Sequence, residues 1–505
     1  MAMARVHAAQ PGILRGDIVT VECDLSRGLY SFTVVGLAGK AVDEAKDRVS
    51  AAIKNAGFPA PKSQNQKIVI SLAPADLKKE GPLFDLPIAL SYLTAAGECA
   101  PVADDVVVLG ELALDGSLRP VRGTLPAVSA AAEAGYREVV VPKANAAEAA
   151  LVDGIVVTPA ATLKEVVCHL DAAHPAHTAL AAQPPTTLTD GWQDGQTCLD
   201  DIKGQESAKR GLIIAAAGRH NVMLVGPPGT GKTMLARAFQ GLLPPLARHE
   251  ALEVLSIHSL AGGDAAITAE PPFRAPHHTA SHTSLVGGGT HPKPGEVTLA
   301  HHGVLFMDEF PEFERRTLDA LRQPLEDRVV AVTRVQGSAL FPADFVLVAA
   351  MNPYRGSEDG TTNYAAAMRD TYANKISGPI LDRIDLWIEV PHVPYDTLTA
   401  RGTGSTTETD TARELIHAAR GQQGARYRDT LISTNAHLTA RDLDALVPLT
   451  DDIKTLLKDA AEKLNLSPRS YHRLIKVART IADLDNSDTI QKPHVLEALQ
   501  YRVNL

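Results

Sequence analysis

The stretch NVMLVGPPGTGKTMLARAFQGLL, Asn221–Leu243, decides how the rest of the chain is read. It opens on the short apolar run Val222–Val225, of the kind a buried strand makes. The residues that follow satisfy the pattern G-x-x-x-x-G-K-[ST]: Gly226, Pro227, Pro228, Gly229, Thr230, Gly231, Lys232 and Thr233. A helical pattern begins at once after them. The context of strand, loop and helix separates a phosphate-binding loop from a chance glycine turn. Gly226, Gly229 and Gly231 are expected to let the backbone approach a phosphate closely, because a side chain would block it. Exposed backbone N–H groups and the positive helix end favour an anion. On this reading Lys232 holds the β- and γ-phosphates of a nucleotide and Thr233 ligates Mg2+.

Downstream segments supply the chemistry such a loop needs. GVLFMDE, Gly303–Glu309, reads as an apolar strand that delivers Asp308 and Glu309 at its carboxyl edge, where open α/β sheets bind ligands. Asp308 is expected to hold Mg2+ through its water shell, and Glu309 to polarise the water that attacks the γ-phosphate. A bare strand-end turn is the plainer account of such a pair, and the upstream loop weighs against it. FVLVAAMNP ends at Asn352, whose amide is placed to reach the γ-phosphate or that water. In GPILDRIDLWIEV, Arg383 sits between Asp382 and Asp385. It either steadies transition-state charge across a subunit boundary or pairs locally with those aspartates. In SPRSYHRLIKVARTIADL, Ser467 caps a helix that begins at Pro468; Arg469 is placed to reach a nucleotide, Arg473, Lys476 and Arg479 follow along the helix, and a basic, solvated helix end is the plain alternative.

A length of 505 residues predicts about three domains. Short β-rich runs mixed with helical stretches make residues 1–170 an α+β domain. Residues 171–197, rich in Ala, Pro and Thr, read as a linker. Residues 198–395 alternate strands and helices, and 396–505 turn helical after a polar stretch near Gly402–Thr411. With 45% hydrophobic and 21% charged residues the chain has the composition of a soluble globular protein. No apolar run reaches a bilayer span, and the start lacks a signal-peptide core. Cys23, Cys99, Cys168 and Cys198 stand far apart, as reduced thiols in the cytoplasm would. A net charge of −10 argues against an overall nucleic-acid coat. Two cationic clusters remain: Arg413, Arg420, Arg426 and Arg428, and then Lys463, Arg469, Arg473, Lys476 and Arg479. Solvated helix faces are their plain reading, a local nucleic-acid channel the alternative.

The order of these motifs resembles an AAA+ ATPase. DIKGQESAKRGLIIAAAGRHN is similar to the AAA+ segment that embraces the adenine, with Gly204 and Gln205 at the usual place. FRAPHHTASHTSLVGGG, PKPGEVTLAHHGVLFMDE and LDALRQPLEDR resemble the Mg-chelatase-like clade of the ComM/YifB type, and the likeness runs through essentially the whole chain. The resemblance implies an α/β P-loop core with a helical lid, using ATP and Mg2+. It gives Lys232 and Thr233 to ATP and Mg2+, Asp308 and Glu309 to hydrolysis, and Asn352 to sensor 1. Arg383 becomes the arginine finger and Arg469 sensor 2. It further implies a cytoplasmic homohexameric ring that acts on DNA, as a helicase or branch-migration motor for incoming DNA, with no membrane partner. Phe273–His302 would be an insertion in the second helix, and a hairpin around Val329–Phe345 a second; both would face a pore. His278 and His282, spaced i,i+4, offer zinc as a lesser alternative. Residues 1–170 resemble a Lon-protease-like domain of the ribosomal-protein S5 type. Leu83 and Leu125 stand where that family has serine and lysine, which leaves no nucleophile or base and implies an inactive protease. Lys78 and Lys79 read as surface lysines, with contact to phosphates the lesser alternative. A chelatase-type motor that remodels a protein is the competing function; a protease and a nucleotide-switched scaffold fit less well, given Leu83, Leu125 and Glu309.

Overall fold

The computed structural model describes residues 2–37, 39–189, 191–192, 197–262, 266–288, 293–334, 337–352, 376–394 and 407–502. Gly289 and His291 of the expected insertion lie outside the described residues, as do residues 402–406 of the polar stretch. The chain forms two compact units, Met1–Thr189 with Arg248–Thr268, and Asp190–Ala247 with Ala269–Leu505.

The first unit is built on a sheet of seven strands. They are β1 (Ala2–Gln10), β2 (Asp17–Arg27), β3 (Ser31–Val35), β4 (Gln66–Ala73), β5 (Val106–Val108), β6 (Glu138–Pro142) and β7 (Val156–Ala160), in the spatial order β3-β4-β2-β1-β5-β6-β7. Alternation fixes the register of β2: Val19, Val21, Cys23 and Leu25 point into the core, and polar residues point away. Helices α1 (Lys40–Asn55), α2 (Asp85–Ala96), α3 (Thr124–Glu133) and α4 (Leu163–Leu170) accompany the sheet. Apolar on nearly every side, α2 is correspondingly buried. Cys23, Cys99 and Cys168 are buried, and all four cysteines are free thiols. Lys79, expected on the surface, is buried, with its ammonium donating to the Pro74 carbonyl.

The second unit opens with α5 (Glu206–Gly218), β8 (Val222–Val225) and α6 (Lys232–Leu242). The chain then contributes α7 (Arg248–Ala261) to the first unit, where Arg248 donates to the Leu151 carbonyl at 2.7 Å and to Asp153 at 2.8 Å. It resumes with β9 (Phe273–Arg274), α8 (His282–Val286), α9 (Glu296–Leu299), β10 (Val304–Met307) and α10 (Arg322–Asp327). An antiparallel hairpin of β11 (Val329–Arg334) and β12 (Gly337–Pro342) follows, where the sequence placed one. The sheet is completed by β13 (Val346–Met351) and, after the short helix α11 (Gly378–Leu381), β14 (Leu386–Glu389). Five parallel strands run in the order β9-β10-β13-β8-β14. Every residue of β8, β10 and β13 is buried, which explains why these strands read as unbroken apolar runs.

Helices α12 (Glu408–Arg426), α13 (Ala440–Leu446), α14 (Asp451–Lys463), α15 (Pro468–Leu484) and α16 (Lys492–Gln500) close the unit, with α12 and α15 packed on α5. A buried polar relay joins these helices to the sheet. His220 meets Asp385 at 3.3 Å and Thr480 at 2.8 Å. Asn435 donates to Thr480 at 3.0 Å and to Asp483 at 2.8 Å. Asp483, fully buried, receives Arg426 at 2.5 Å and Arg479 at 2.8 Å.

These contacts revise both readings of the cationic clusters. Arg413 donates to the Gly241 carbonyl, Arg420 to that of Ala216 and Lys476 to that of Ala436. Arg426 and Arg479 neutralise Asp483. Most of these cations are internal struts. They form neither a solvated face nor an open nucleic-acid channel, because buried carbonyls and a buried carboxylate need donors.

Candidate nucleotide site

Strand register assembles this site. Val225, the last residue of β8, pairs with Met351 of β13, and Met307 of β10 pairs with Ala349. The residues that follow each strand, Gly226, Asn352 and Asp308, therefore emerge side by side at the carboxyl edge, with Asn352 in the middle.

Gly226 is demanded by packing. A Cβ there would stand 2.1 Å from the Val390 carbonyl oxygen, so the residue serves the close passage of the chain after β14 more than a phosphate. Gly229 and Gly231 are different. Their φ angles of 77° and 90° are left-handed, and a Cβ on either would meet only open space. Gly231 is the residue before the first turn of α6, whose free N–H groups face the loop.

Lys232 is buried, and its ammonium uses all three donors at 2.8 Å: the carbonyls of Gly226 and Pro227 and Oδ1 of Asn352. Burial lowers its pKa, with Asp308 pulling the other way. The Thr233 hydroxyl donates to Oδ2 of Asp308 at 3.0 Å, and the Glu309 N–H to Oδ1 of Asp308 at 2.9 Å. A hydroxyl and a carboxylate side by side are oxygen donors suited to a hard cation, so Thr233 and Asp308 fit Mg2+. Glu309 follows with φ 51°, a left-handed angle uncommon for a non-glycine residue.

Cavities flank the loop. One of about 540 Å3 is lined by Ile202, Gln205, Gly229, Gly231, Met234 and His392. Gln205 starts α5 with φ 63°, next to Gly204 at 64°, and its amide donates to the Pro391 carbonyl at 2.6 Å. The other, of about 310 Å3, is bounded by Thr233, Arg237, His277, His278, Asp308 and Glu309.

The structure does not bring Arg383 or Arg469 to this loop. Arg383 contacts Glu326 of α10 and the Pro379 carbonyl; Asp385, one of the two aspartates expected to pair with it, is engaged by His220. Arg469 reaches the same Glu326 carboxylate at 3.3 Å. Arg473 donates to the carbonyls of Leu381 and Ile384, which bracket Arg383. Arg473 is thus engaged on backbone, and Arg469, exposed, is the arginine of this helix that shares a partner with Arg383. No spacing in the sequence singled out Glu326.

The expected insertion is shorter than its sequence boundaries. Phe273 and Arg274 form an edge strand paired with β10, and Phe273 stacks on Phe306 at 5.9 Å. His278 and His282 do not share a helix, because α8 begins at His282 after the Ser281 cap. Their i,i+4 spacing therefore does not set them on one face for zinc. In the first unit Leu83 belongs to the main core, and Leu125 packs with Leu151 and Leu255 in a separate cluster.

The parallel sheet, its order and the loop leaving β8 define a class: P-loop α/β proteins that bind nucleotides. Comparison with known proteins gives the family. Residues 198–398 match the family described as magnesium chelatase, subunit ChlI, residues 21–145 match subunit ChlI of Mg-chelatase, and residues 406–502 match its C-terminal family. Competence protein ComM of Haemophilus influenzae is 44% identical over 99% of this chain and 98% of its own length. YifB of Escherichia coli is 42% identical over 99% of this chain and 97% of its own. The chain belongs to the Mg-chelatase-like AAA+ ATPase family, ComM/YifB type. Lon protease 2 of Thermus thermophilus shares 34% identity over 134 residues, 26% of this chain and 16% of that protein. Among the described residues no helix is long and apolar enough to cross a membrane.

Proposed function

We propose that this protein is a Mg2+-dependent ATPase that assembles as a homohexameric ring and drives DNA through or along it, as a helicase or branch-migration motor in recombination of incoming DNA. The observation that carries the ATPase reading is the convergence of Lys232, Thr233, Asp308 and Asn352 within hydrogen-bond distance at one sheet edge. Residues from three separated motifs meet where a nucleotide's terminal phosphates would lie. In this reading the base enters the cavity beside Gln205, and the γ-phosphate faces the cavity beside Glu309. Lys232 exchanges its loop carbonyls for phosphate oxygens and keeps Asn352 in reach. Thr233 and Asp308 hold Mg2+, which when bound neutralises charge on the phosphates. Glu309 accepts the proton of the attacking water.

Arg383 and Arg469, gathered on Glu326 away from the phosphate loop of their own chain, are offered together to a neighbouring copy. Such a cleft is complete only in an assembly. DNA is supported by the kinship to a competence protein and by the β11–β12 hairpin, a shape suited to gripping a strand. The cationic clusters, largely buried, do not support it. Residues 1–170 act as an inactive Lon-like collar.

The test is the ATPase rate of the purified protein with and without single-stranded DNA at two salt concentrations. Stimulation that fades as salt rises supports the DNA motor, since phosphate contacts release counterions. A rate that no DNA form alters removes the DNA reading and favours a protein substrate of the chelatase type.

A further inference from the structure

The β11–β12 hairpin is fastened at its root to the helical end of the chain, and both of its flanking residues hold the same histidine there. Arg328, just before β11, donates to the His437 carbonyl at 3.4 Å. Asp344, just after β12, lies 3.4 Å from Nε2 of His437. The Ala343 N–H donates to the Arg328 carbonyl at 2.8 Å and ties the two flanks to each other. We propose that His437 is a positioning residue that couples the hairpin to Arg383 and Arg469, so that a movement of those arginines is delivered to the hairpin. The inference rests on the reading of the two arginines as partners of a neighbouring copy's nucleotide.

Such coupling needs a stiff member, and the turn Asn435–His437 is one. Asn435 is buried with its side chain fully engaged. Its amide donates to Thr480 at 3.0 Å and to Asp483 at 2.8 Å, and its oxygen accepts from the Tyr427 hydroxyl at 2.6 Å. Its backbone N–H donates to Gln423 of α12 at 3.0 Å, and the Ala436 carbonyl accepts from Lys476 of α15 at 2.9 Å. Moving the turn alone would leave these buried groups unpaired, so it moves with α15. At its other end α15 carries Arg469, and its Arg473 donates to the carbonyls of Leu381 and Ile384 on either side of Arg383. His220, between Asp385 and Thr480, ties the strand after Arg383 to the middle of the same helix. The arginines and the hairpin root are thus two ends of one braced body.

His437 is the joint in that body. A carboxylate only accepts, so Nε2 of His437 carries the hydrogen that faces Asp344. Asp344 has other partners, and they belong to the sheet side. Arg219, which follows α5, stands 3.6 Å from its carboxylate and donates to its carbonyl at 3.1 Å. Ahead of β10, His301 Nδ1 accepts from the Asp344 N–H at 3.0 Å, and the His302 N–H donates to the Asp344 carbonyl at 2.6 Å. Removing the His437 imidazole therefore leaves Asp344 with a counter-charge and a seat, and takes away its link to α15.

The test is hydrogen exchange of the full chain, with and without a non-hydrolysable ATP analogue and Mg2+. In the unmodified protein the analogue is expected to change exchange in Val329–Arg334 by about five-fold or more. His437→Ala is expected to keep the response at the start of α6 and to lose the one in the hairpin. His437→Gln, whose Nε2 can donate to Asp344, is expected to regain it. Arg328→Met cuts the other flank, leaves His437 in place and is expected to weaken the hairpin response likewise. A merely structural role would alter hairpin exchange equally with and without the analogue and leave their ratio intact. That result, or a hairpin in the unmodified protein that ignores the analogue, overturns the inference. The reading of the arginines fails separately, if Arg383→Ala turns over ATP at the normal rate.

Discussion

At the scale of single residues, the site is held by side chains whose alternatives are costly. Lys232 already satisfies two loop carbonyls and the Asn352 oxygen. Lys232→Ala removes a charged donor from all of them as well as from phosphate. Nucleotide affinity, measured by titration of a fluorescent analogue, should fall at least ~100-fold. Glu309→Gln keeps the size and loses the carboxylate proposed as the base. It should bind nucleotide normally and slow turnover by roughly 10²–10⁴-fold, read in a steady-state phosphate-release assay. A different residue sets the response to acid. Burial lowers the pKa of His437 from 6.5 to about 4, against the pull of Asp344, with Arg328 and Arg219 adding to the fall. The 3.4 Å contact of His437 with Asp344 therefore joins a neutral imidazole to a charged carboxylate. Arg219 is the main counter-charge that offsets the burial of Asp344 and holds it well below the usual carboxylate range. Between pH 6.5 and about 4 the unfolded chain binds the His437 proton and the folded chain does not. The stability tied to this group is thus complete above 6.5 and is lost as the pH falls through that window, by roughly 3 kcal/mol at most. Denaturant unfolding across this range should show a shallower loss in His437→Gln than in the unmodified protein.

At the scale of elements, stability of the helical end hangs on Asp483, which is buried against Arg426 and Arg479. Asp483→Ala would take the buried counter-charge from both guanidiniums and one acceptor from the Asn435 amide. A loss of about 3–5 kcal/mol follows, with faster hydrogen exchange along α12 and α15 than in β8 or β13. How far the sequence led also shows at this scale. Strands β8, β10 and β13 were legible because burial on both faces leaves unbroken apolar runs. Strand β2 was legible through its alternation, Asp308 and Asn352 through their places at strand ends, and Thr233 through the loop pattern that opens α6. Strand β1 was not, since AMARVHAAQ puts alanine at several positions and alanine carries a helical preference. The contacts of Glu326 with Arg383 and Arg469 join residues 57 and 143 positions apart, and no local pattern reports them. For the same reason His278 looked like a loop residue, although its Nδ1 stands 3.2 Å from Oε2 of Glu309. Arginine clusters misled because charge in a sequence carries no sign of burial, and here carbonyls and a buried aspartate draw the cations inward.

At the scale of the whole molecule, the question is whether one chain makes a complete site. Arg473 pins the carbonyls of Leu381 and Ile384, so Arg383 moves with α15, and Arg469 leaves the same helix toward the same Glu326. The pair therefore gathers at Glu326, where Arg469 is exposed and Arg383 is mostly covered, while Lys232 and Glu309 belong to another surface. If the surfaces meet between copies, two inactive variants should rescue each other. Lys232→Ala keeps its arginines and lacks a working phosphate loop; Arg383→Ala keeps the loop and lacks the arginine. Mixed in equal amounts before ATP is added, they form rings in which roughly a quarter of the interfaces join an intact Lys232 to an intact Arg383. About that fraction of normal turnover should return, and it should vanish on dilution as the rings dissociate. A mixture as inactive as its parents, from variants shown to co-assemble, would place Arg383 in service of its own chain and remove the shared cleft.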